Sequence, residues 1–278
     1  MPERRVSRRQ AITGAGALGA SALAAPAFAT SGATALNLSS PEALSEARIK
    51  IVGSIAEETV TTFQRFHIYG DPHGGNLTPL FSMNNLHVDK WRPVERGTYA
   101  LTHFEVGYYT EFDSETPLEN WKNPYTEEMN EIFVFRLGPV LREYYPDRIV
   151  APGLAPDPLT LQVIGDRVFL PTLSTHEIPN MFSPEEFPEE STGEIVYWDS
   201  MFTYSAPLAA VADPAVANAP NHCHLQNAVS WAPWMRMGLR PGRTTVQAFG
   251  CKIAGFEALP AKTRAGFEKY TPEIFETA

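Results

Sequence analysis

From about residue 59 onward, apolar and polar residues alternate with a period of two, which is typical of half-buried β-strands. The clearest stretch is residues 99–112, where Phe104, Val106 and Tyr108 share one face and polar side chains share the other. The same pattern predicts strands at residues 59–69, 77–94, 131–137, 194–204, 223–231 and 244–253, and a hairpin over residues 159–173 that turns at Gly165-Asp166.

Helical patterns are confined to two short stretches near the ends of this region. In residues 39–50, Ser39 and Glu42 have the spacing of a capping box and Pro41 fits the first turn of a helix. Residues 258–275 form the second stretch. We therefore predict a mainly β protein, a single antiparallel β-barrel (calycin-like) or sandwich with short terminal helices.

The N-terminus has the pattern of an export signal. Arg8 and Arg9 precede a weakly apolar, Gly- and Ala-rich run that ends in Ala27-Phe28-Ala29, a small-residue cleavage pattern. We predict a twin-arginine-type signal peptide at residues 1–29, a single β-rich domain at 30–278, and a periplasmic or secreted protein. A permanent membrane anchor is disfavoured, because a spanning helix needs about 20 strongly apolar residues.

The charge of the chain and the motifs that it lacks limit the kinds of ligand and cofactor that are expected. The 278-residue chain has a formal net charge of −10, and the signal segment holds four of its basic residues. Because an acidic surface repels polyanions, we predict a small-molecule ligand or substrate and no nucleic acid. A homo-oligomer is left open. The chain has no G-x-S-x-G, P-loop, dinucleotide-binding or C-x-x-C motif, so no organic cofactor is expected.

Residues 221–242, NHCHLQNAVSWAPWMRMGLRPG, form the first candidate site. On a strand, His222, His224 and Gln226 share one face, and the H-x-H spacing places two ring nitrogens on the side where a metal needs them. A strand pairing centred on the following turn brings Cys223 nearly opposite Cys251. A disulfide and two buried free thiols are both compatible with that pairing.

A second polar stripe lies on residues 99–112, where His103, Glu105 and Tyr109 share one face. If this face meets that of His222 and His224 inside a barrel, the three histidines and the glutamate converge. We therefore predict His103, Glu105, Tyr109, His222 and His224 as catalytic residues, through acid–base chemistry or through a divalent metal bound by the three histidines. The alternative is a solvent-facing polar stripe.

Four more residues are candidates for contact with a substrate. Gln226 continues the face of His222 and His224, Trp231 and Trp234 offer large apolar surfaces, and Arg236 could hold a carboxylate. Packing is the alternative role for the tryptophans. Two long irregular stretches, residues 138–158 and 176–193, either frame a site or are solvated loops.

The chain also resembles a known family. NWKNPYTEE (residues 120–128), EVGYYTEF (105–112) and SWAPWMRMGLRPG (230–242) resemble the bacterial family catalogued as domain of unknown function eighteen thirty-eight. The resemblance covers about residues 36–256, and it implies export and a single domain. Thr126-Glu127-Glu128 stands where the family has Thr-Gly-Glu. The resemblance implies no activity and no catalytic residues.

The leading hypothesis is an exported enzyme of lyase, isomerase or hydrolase type that acts on a hydrophobic or aromatic molecule inside a β-barrel cavity. The main alternative is a non-catalytic protein of the same fold that binds a lipophilic ligand. A third hypothesis, an envelope interaction module, predicts an exposed aromatic patch around Trp231 and Trp234.

Overall fold

The long alternating stretches become long antiparallel strands. The computed structural model describes residues 36, 38–151, 157–158 and 160–277, so the predicted signal peptide at 1–29 lies outside the described residues. The strands are β1 (Glu58–Pro72), β2 (Thr78–Glu95), β3 (Thr98–Thr110), β4 (Asn120–Lys122), β5 (Met129–Glu131), β6 (Phe135–Tyr144), β7 (Ile149–Val150), β8 (Asp157–Pro158), β9 (Gln162–Ile164), β10 (Arg167–Pro179), β11 (Ile195–Pro207), β12 (His222–Val229) and β13 (Gly242–Ile253).

The helices are short and lie mainly near the ends of the described chain. They are α1 (Pro41–Val52), α2 (Leu208–Ala212) and α3 (Ala261–Tyr270), with 3-10 turns at Pro233–Met235, Phe256–Ala258 and Pro272–Glu276. Both predicted helical stretches are therefore present. The cap of α1 is Ser40 rather than Ser39, because the hydroxyl of Ser40 accepts a hydrogen bond from the Ala43 amide at 3.2 Å.

One antiparallel sheet contains all the strands except β4 and β5, which pair with each other. Its order is β7-β6-β3-β2-β1-β13-β12-β11-β10-β8, with β9 also paired to β10. The sheet curls into a half-barrel, so one face is concave and the other convex. The prediction of a mainly β protein on an antiparallel, barrel-like sheet with short helices is confirmed.

The two faces of the sheet are covered differently along its width. On the convex side of β2 and β3, Leu86 and Val88 are fully buried because they pack with Phe267 of α3. On β12 the convex face has no such cover among the described residues, and burial alternates from exposed His222 through to buried Asn227. Helix α3 therefore covers the convex side of β2 and β3 and leaves that of β12 open.

Helix α1 joins the two sides of the curled sheet. Ile49 packs with Trp91 and Leu101 on β2 and β3. On the other side of the helix, Ala47 and Ile51 pack in a second cluster with Leu170 of β10. Because its two sides contact strands from both ends of the sheet order, α1 holds the half-barrel in its curvature.

The register of β12 against β13 separates the two cysteines. Cys223 pairs with Gly250 and His222 pairs with Cys251, one residue away from the predicted pairing. Since paired residues share a face, a slip of one residue places the two thiols on opposite faces. Both cysteines are free, so the disulfide alternative is wrong. Cys223 lies inside, where its sulfur accepts a hydrogen bond from Gln64 at 3.2 Å.

The two irregular stretches are more regular than predicted. Much of the first is strand, because β6 and β7 extend the sheet beyond β3. The strand predicted at residues 131–137 is in fact the end of β5 and the start of β6, and these belong to different sheets. The second stretch begins within β10, and only its later part is a loop.

Candidate functional site

The concave face of the half-barrel encloses a cavity of about 840 Å³, within the size range of small-molecule sites. Its walls are mixed in character, with aromatic and aliphatic side chains around a few polar groups. The apolar part comes from several strands and includes Leu101, Phe135, Leu170, Ile178, Trp198 and Phe202. The polar part includes His87, Asp89, His103, Glu105, Arg142 and, from α1, Arg48.

The pairing of β2 with β3 creates the charged centre of this cavity. Asp89 lies opposite His103, and His87 lies opposite Glu105, so all four side chains share the concave face. His103 Nδ1 is 2.6 Å from Asp89 Oδ1, and its side chain is only 6% exposed. This hydrogen bond fixes the orientation of the imidazole ring. The other ring nitrogen, Nε2, is then available for further contacts.

Glu105 links the two histidines. Its Oε2 is 3.4 Å from His103 Nε2, and its Oε1 accepts a hydrogen bond from Asn85 at 2.9 Å. Oε1 also lies 3.4 Å from His87 Nε2, although this contact lacks the angles of a hydrogen bond and leaves the buried nitrogen without a hydrogen-bond partner in the described chain. His87 Nε2 is therefore a buried polar atom with spare hydrogen-bonding capacity.

The charges of the centre follow from its contacts. Burial acts to lower the pKa of His103, but the charge and hydrogen bond of Asp89, helped by Glu105, raise this pKa to about 9. Burial acts to raise the pKa of Glu105, but the contacts with His87 and His103 hold it well below its usual range. At neutral pH, His103 is thus an imidazolium and Glu105 a carboxylate.

Arg142 adds a second positive charge beside these groups. Burial acts to lower its pKa, but Tyr144 and the carboxylates of Asp89 and Glu105 raise it. The guanidinium Nε is buried without a hydrogen-bond partner in the described residues. Arg142 and His103 together balance the two carboxylates, so the centre is close to neutral.

The arrangement offers two kinds of chemistry. A protonated His103 held by Asp89 is a general acid, and the Glu105 carboxylate is a nearby proton acceptor. Alternatively, His87, Asp89 and His103 each offer one ligand atom within 4.8 Å of the others, as a divalent metal needs. The balancing charge of Arg142 favours the first arrangement, because a cation beside two carboxylates opposes the binding of another.

His222 and His224 do not join this centre. Both are exposed on the convex face of β12, where His224 lies opposite Thr203 and Phe249. The ring of His222 is 3.5 Å from an Arg167 nitrogen. The predicted convergence of three histidines is therefore wrong, because the concave positions of β12 are taken by Cys223, Leu225 and Asn227.

Tyr109, Trp231 and Trp234 belong to an aromatic core rather than to the described wall of the large cavity. The Tyr109 and Trp234 ring centroids are 5.5 Å apart, and burial raises the pKa of Tyr109 to about 12. Trp231 is 2% exposed and donates a hydrogen bond to the Arg240 carbonyl at 3.2 Å. The packing alternative therefore describes the two tryptophans, and Tyr109, which was predicted as a catalytic residue, packs in the same core.

Gln226 and Arg236 also lie outside the described cavity wall. Gln226 is exposed on the convex face opposite Gln247. Arg236 forms ion pairs with Glu189 and Glu190 of the acidic loop that follows β10. Arg236 thus holds a loop near the turn after β12, and neither residue is placed to contact a ligand in the cavity.

Sequence reasoning missed His87, Asp89, Arg142 and Arg48. A signal for the first two was present, because Asn85, His87 and Asp89 repeat at a spacing of two within a strongly apolar stretch. Arg142 lies in a stretch that was predicted to be a loop. Arg48 lies on a predicted helix whose contact with the cavity depends on tertiary packing.

The fold and the site define a class of protein, a mainly β half-barrel with a polar centre inside a largely apolar cavity. A family model matches residues 58–278, and the chain belongs to that family, described as "Protein of unknown function (DUF1838)". The resemblance found in the sequence is confirmed, and the match includes β2 and β3 but not α1. A comparison with curated proteins gives no match. No described helix is long and apolar enough to cross a membrane.

Proposed function

We propose that this protein is an enzyme that binds a small, partly aromatic molecule in the half-barrel cavity and transfers a proton to or from it. The observation that supports the proposal is the buried His103–Asp89 hydrogen bond, at 2.6 Å, on the wall of a cavity of about 840 Å³. Buried ion pairs of this kind are expensive to maintain, and inside a cavity they are common at functional sites.

In the proposed chemistry, His103 donates a proton through Nε2 to an oxygen of the ligand, and Asp89 holds the ring and its charge. Glu105, whose Oε2 lies 3.4 Å from that nitrogen, accepts a proton from the ligand. Protonating a carbonyl oxygen while removing a neighbouring C–H proton is the common step of many isomerases and lyases. The apolar wall would exclude water and hold the aromatic body of the ligand.

The experiment uses a neutral probe and a proton-transfer readout. Binding of N-phenyl-1-naphthylamine, followed by its fluorescence, tests whether the cavity accepts an aromatic molecule. Exchange of the α-protons of benzylic ketones such as 2-tetralone in D2O, followed by mass spectrometry, tests proton transfer directly. His103→Asn and Glu105→Gln are compared with His224→Asn, which changes a histidine on the exposed convex face.

We expect wild type and His224→Asn to catalyse exchange, and the two cavity variants to lose it while still binding the probe. Exchange that is unchanged in folded His103→Asn would contradict the role of His103. Ketones that bind to the wild type but show neither exchange nor product would contradict the enzyme and favour the non-catalytic ligand-binding alternative.

A second candidate is metal-assisted chemistry, which the 4.8 Å grouping of His87, Asp89 and His103 and the unpartnered His87 Nε2 favour. Elemental analysis of protein purified without chelators, and calorimetric titration with Zn²⁺, test it. Stoichiometric metal that is lost in His87→Asn would move the proposal from proton transfer to metal-assisted chemistry.

Export is also part of the proposal. The twin-arginine pattern before Ala29 supports processing of residues 1–29 and a periplasmic or secreted mature protein. Intact mass of the protein recovered from the periplasmic fraction tests this, with Arg8→Lys/Arg9→Lys as the control that should remain in the cytoplasm. An unprocessed wild-type chain in the cytoplasm would contradict export.

A further inference from the structure

Arg48 is a cation on the wall of the cavity that has no counter-ion among the described residues. It lies on α1 and faces the cavity together with Ser45 and Ile49. Its Nε is buried without a hydrogen-bond partner, and no described carboxylate forms an ion pair with it. Burial lowers the pKa of Arg48, and no neighbouring charge acts to restore it.

Other arginines of the cavity wall differ in this respect. Arg148 forms an ion pair with Asp147 at 3.1 Å, and the carboxylates of Asp89 and Glu105 act on Arg142. Charged groups removed from water are normally paired, because the loss of hydration is otherwise uncompensated. The side chain of Arg48 is only partly buried, but its buried Nε has no such partner among the described residues, and the guanidinium offers a fork of donors suited to an anion.

We propose that Arg48 binds the acidic group of the ligand, so that the molecule taken up by the cavity is an amphiphilic anion, such as an aromatic or aliphatic acid. This inference rests on the proposed function, since it assigns the chemical class of the molecule bound in the same cavity. The acidic group would supply the missing counter-ion, and the apolar wall around Leu170 and Phe202 would receive the body of the molecule.

The position of Arg48 on α1 gives this contact a structural consequence. The same helix packs through Ile49 on β2 and β3 and through Ala47 and Ile51 on the cluster containing Leu170 of β10. An anion held by Arg48 would therefore be fixed relative to both sides of the half-barrel. Recognition of the acidic group would come from the helix, and the proposed chemistry from the sheet.

The test compares two probes with the same aromatic skeleton. 8-Anilinonaphthalene-1-sulfonate carries an anionic group, whereas N-phenyl-1-naphthylamine lacks it. Dissociation constants for both are measured by fluorescence at physiological ionic strength, with calorimetry to establish one site per chain. The variants are Arg48→Met, which keeps an apolar stem, Arg48→Lys, which keeps the charge, and Arg148→Met, which removes a paired, exposed arginine of the same cavity.

We expect Arg48→Met to weaken binding of the sulfonate by about 10-fold or more, as loss of a charge-assisted hydrogen bond implies. Binding of the neutral probe should change less than about 2-fold, because the apolar contacts remain. Arg48→Lys should retain much of the preference, and Arg148→Met should leave both constants nearly unchanged, since exposed charges are screened by salt. Circular dichroism and urea unfolding establish that the variants fold.

Two results would overturn the inference in different ways. If folded Arg48→Met binds both probes as the wild type does, or if Arg148→Met weakens sulfonate binding equally, Arg48 is not the anion site, while binding in the cavity stands. If the wild type binds neither probe, the proposed binding function fails together with the inference. The neutral probe distinguishes these cases because it does not depend on Arg48.

Discussion

The pairs His103-x-Glu105 on β3 and His222-x-His224 on β12 have the same spacing but opposite surroundings. His103 and Glu105 point into the cavity, where Asp89, His87 and Arg142 surround them. His222 and His224 point away from it and are exposed on the convex side of β12. The comparison shows that alternation places polar residues on one face, whereas the neighbouring strands decide what that face meets.

The largest predicted difference between the two pairs is in stability. His103→Leu leaves the buried Asp89 carboxylate without its hydrogen-bonded partner, with Arg142 as the remaining cation beside it, and breaking a buried pair in this way costs about 3–5 kcal/mol. His224→Leu, the matched control, should change the free energy of unfolding by less than about 0.5 kcal/mol. Urea unfolding at pH 7 measures both. Equal losses of stability in the two variants would contradict the conclusion that His103 is buried in an ion pair and His224 is exposed.

The free energy of unfolding should also depend on pH through His103. The pKa of His103 is about 9 in the folded chain, above an unfolded value of about 6.5. Because the folded value is raised, its stabilisation is complete below about pH 6.5 and is lost as pH rises through about 9. The loss amounts to roughly 3 kcal/mol.

Unfolding free energies between pH 6 and 10 test this prediction. The difference between wild type and His103→Leu should shrink with rising pH, whereas His224→Leu should follow the wild type throughout. A difference between wild type and His103→Leu that stays constant to pH 10 would show that His103 is not charged in the folded protein.

The reactivity of the two cysteines tests, independently of the histidines, which face of the sheet is buried. Cys223 is 1% exposed on the concave side, and burial raises the pKa of its thiol to about 12, whereas Cys251 is partly exposed on the convex side. Because only the thiolate reacts, Cys251 should react with a disulfide reagent about 100-fold faster or more in the folded protein. Cys223→Ala and Cys251→Ala assign the two phases. Equal rates, or a disulfide in the oxidised protein, would contradict the observed register.

The smallest effects are expected for the residues that the sequence suggested as substrate contacts. Gln226→Ala and Arg236→Gln should each change stability by less than about 1 kcal/mol, because the ion pairs of Arg236 are largely exposed. Neither should change binding of N-phenyl-1-naphthylamine measurably. Clear weakening by either variant would place a ligand outside the cavity.

Much of the architecture was predictable because most of the long strands alternate clearly between apolar and polar residues; β6, whose burial does not alternate regularly, is the exception. The β3 stripe, the hairpin at Gly165 and both terminal helical stretches could be identified from local pattern alone. The register of the strands could not be predicted in this way. A slip of one residue between β12 and β13 leaves the alternation of apolar and polar residues intact but moves Cys251 to the other face of the sheet.

Part of the site was predictable for the same reason. His103 and Glu105 stand out on their strand, but their partners Asp89 and His87 are identified only by the β2–β3 pairing. The exposure of His222 and His224 depends on the curvature of the whole sheet, which places the other side of β12 inside. Tertiary packing alone brings Arg48 of α1 to the cavity.

The most direct test of the account is a histidine-selective ¹³C NMR titration with 8-anilinonaphthalene-1-sulfonate, with signals assigned by single substitutions. The account predicts that the resonances of His87 and His103 shift as the probe binds and that those of His222 and His224 do not. Shifts confined to His222 and His224 would place the ligand on the convex face and contradict the account.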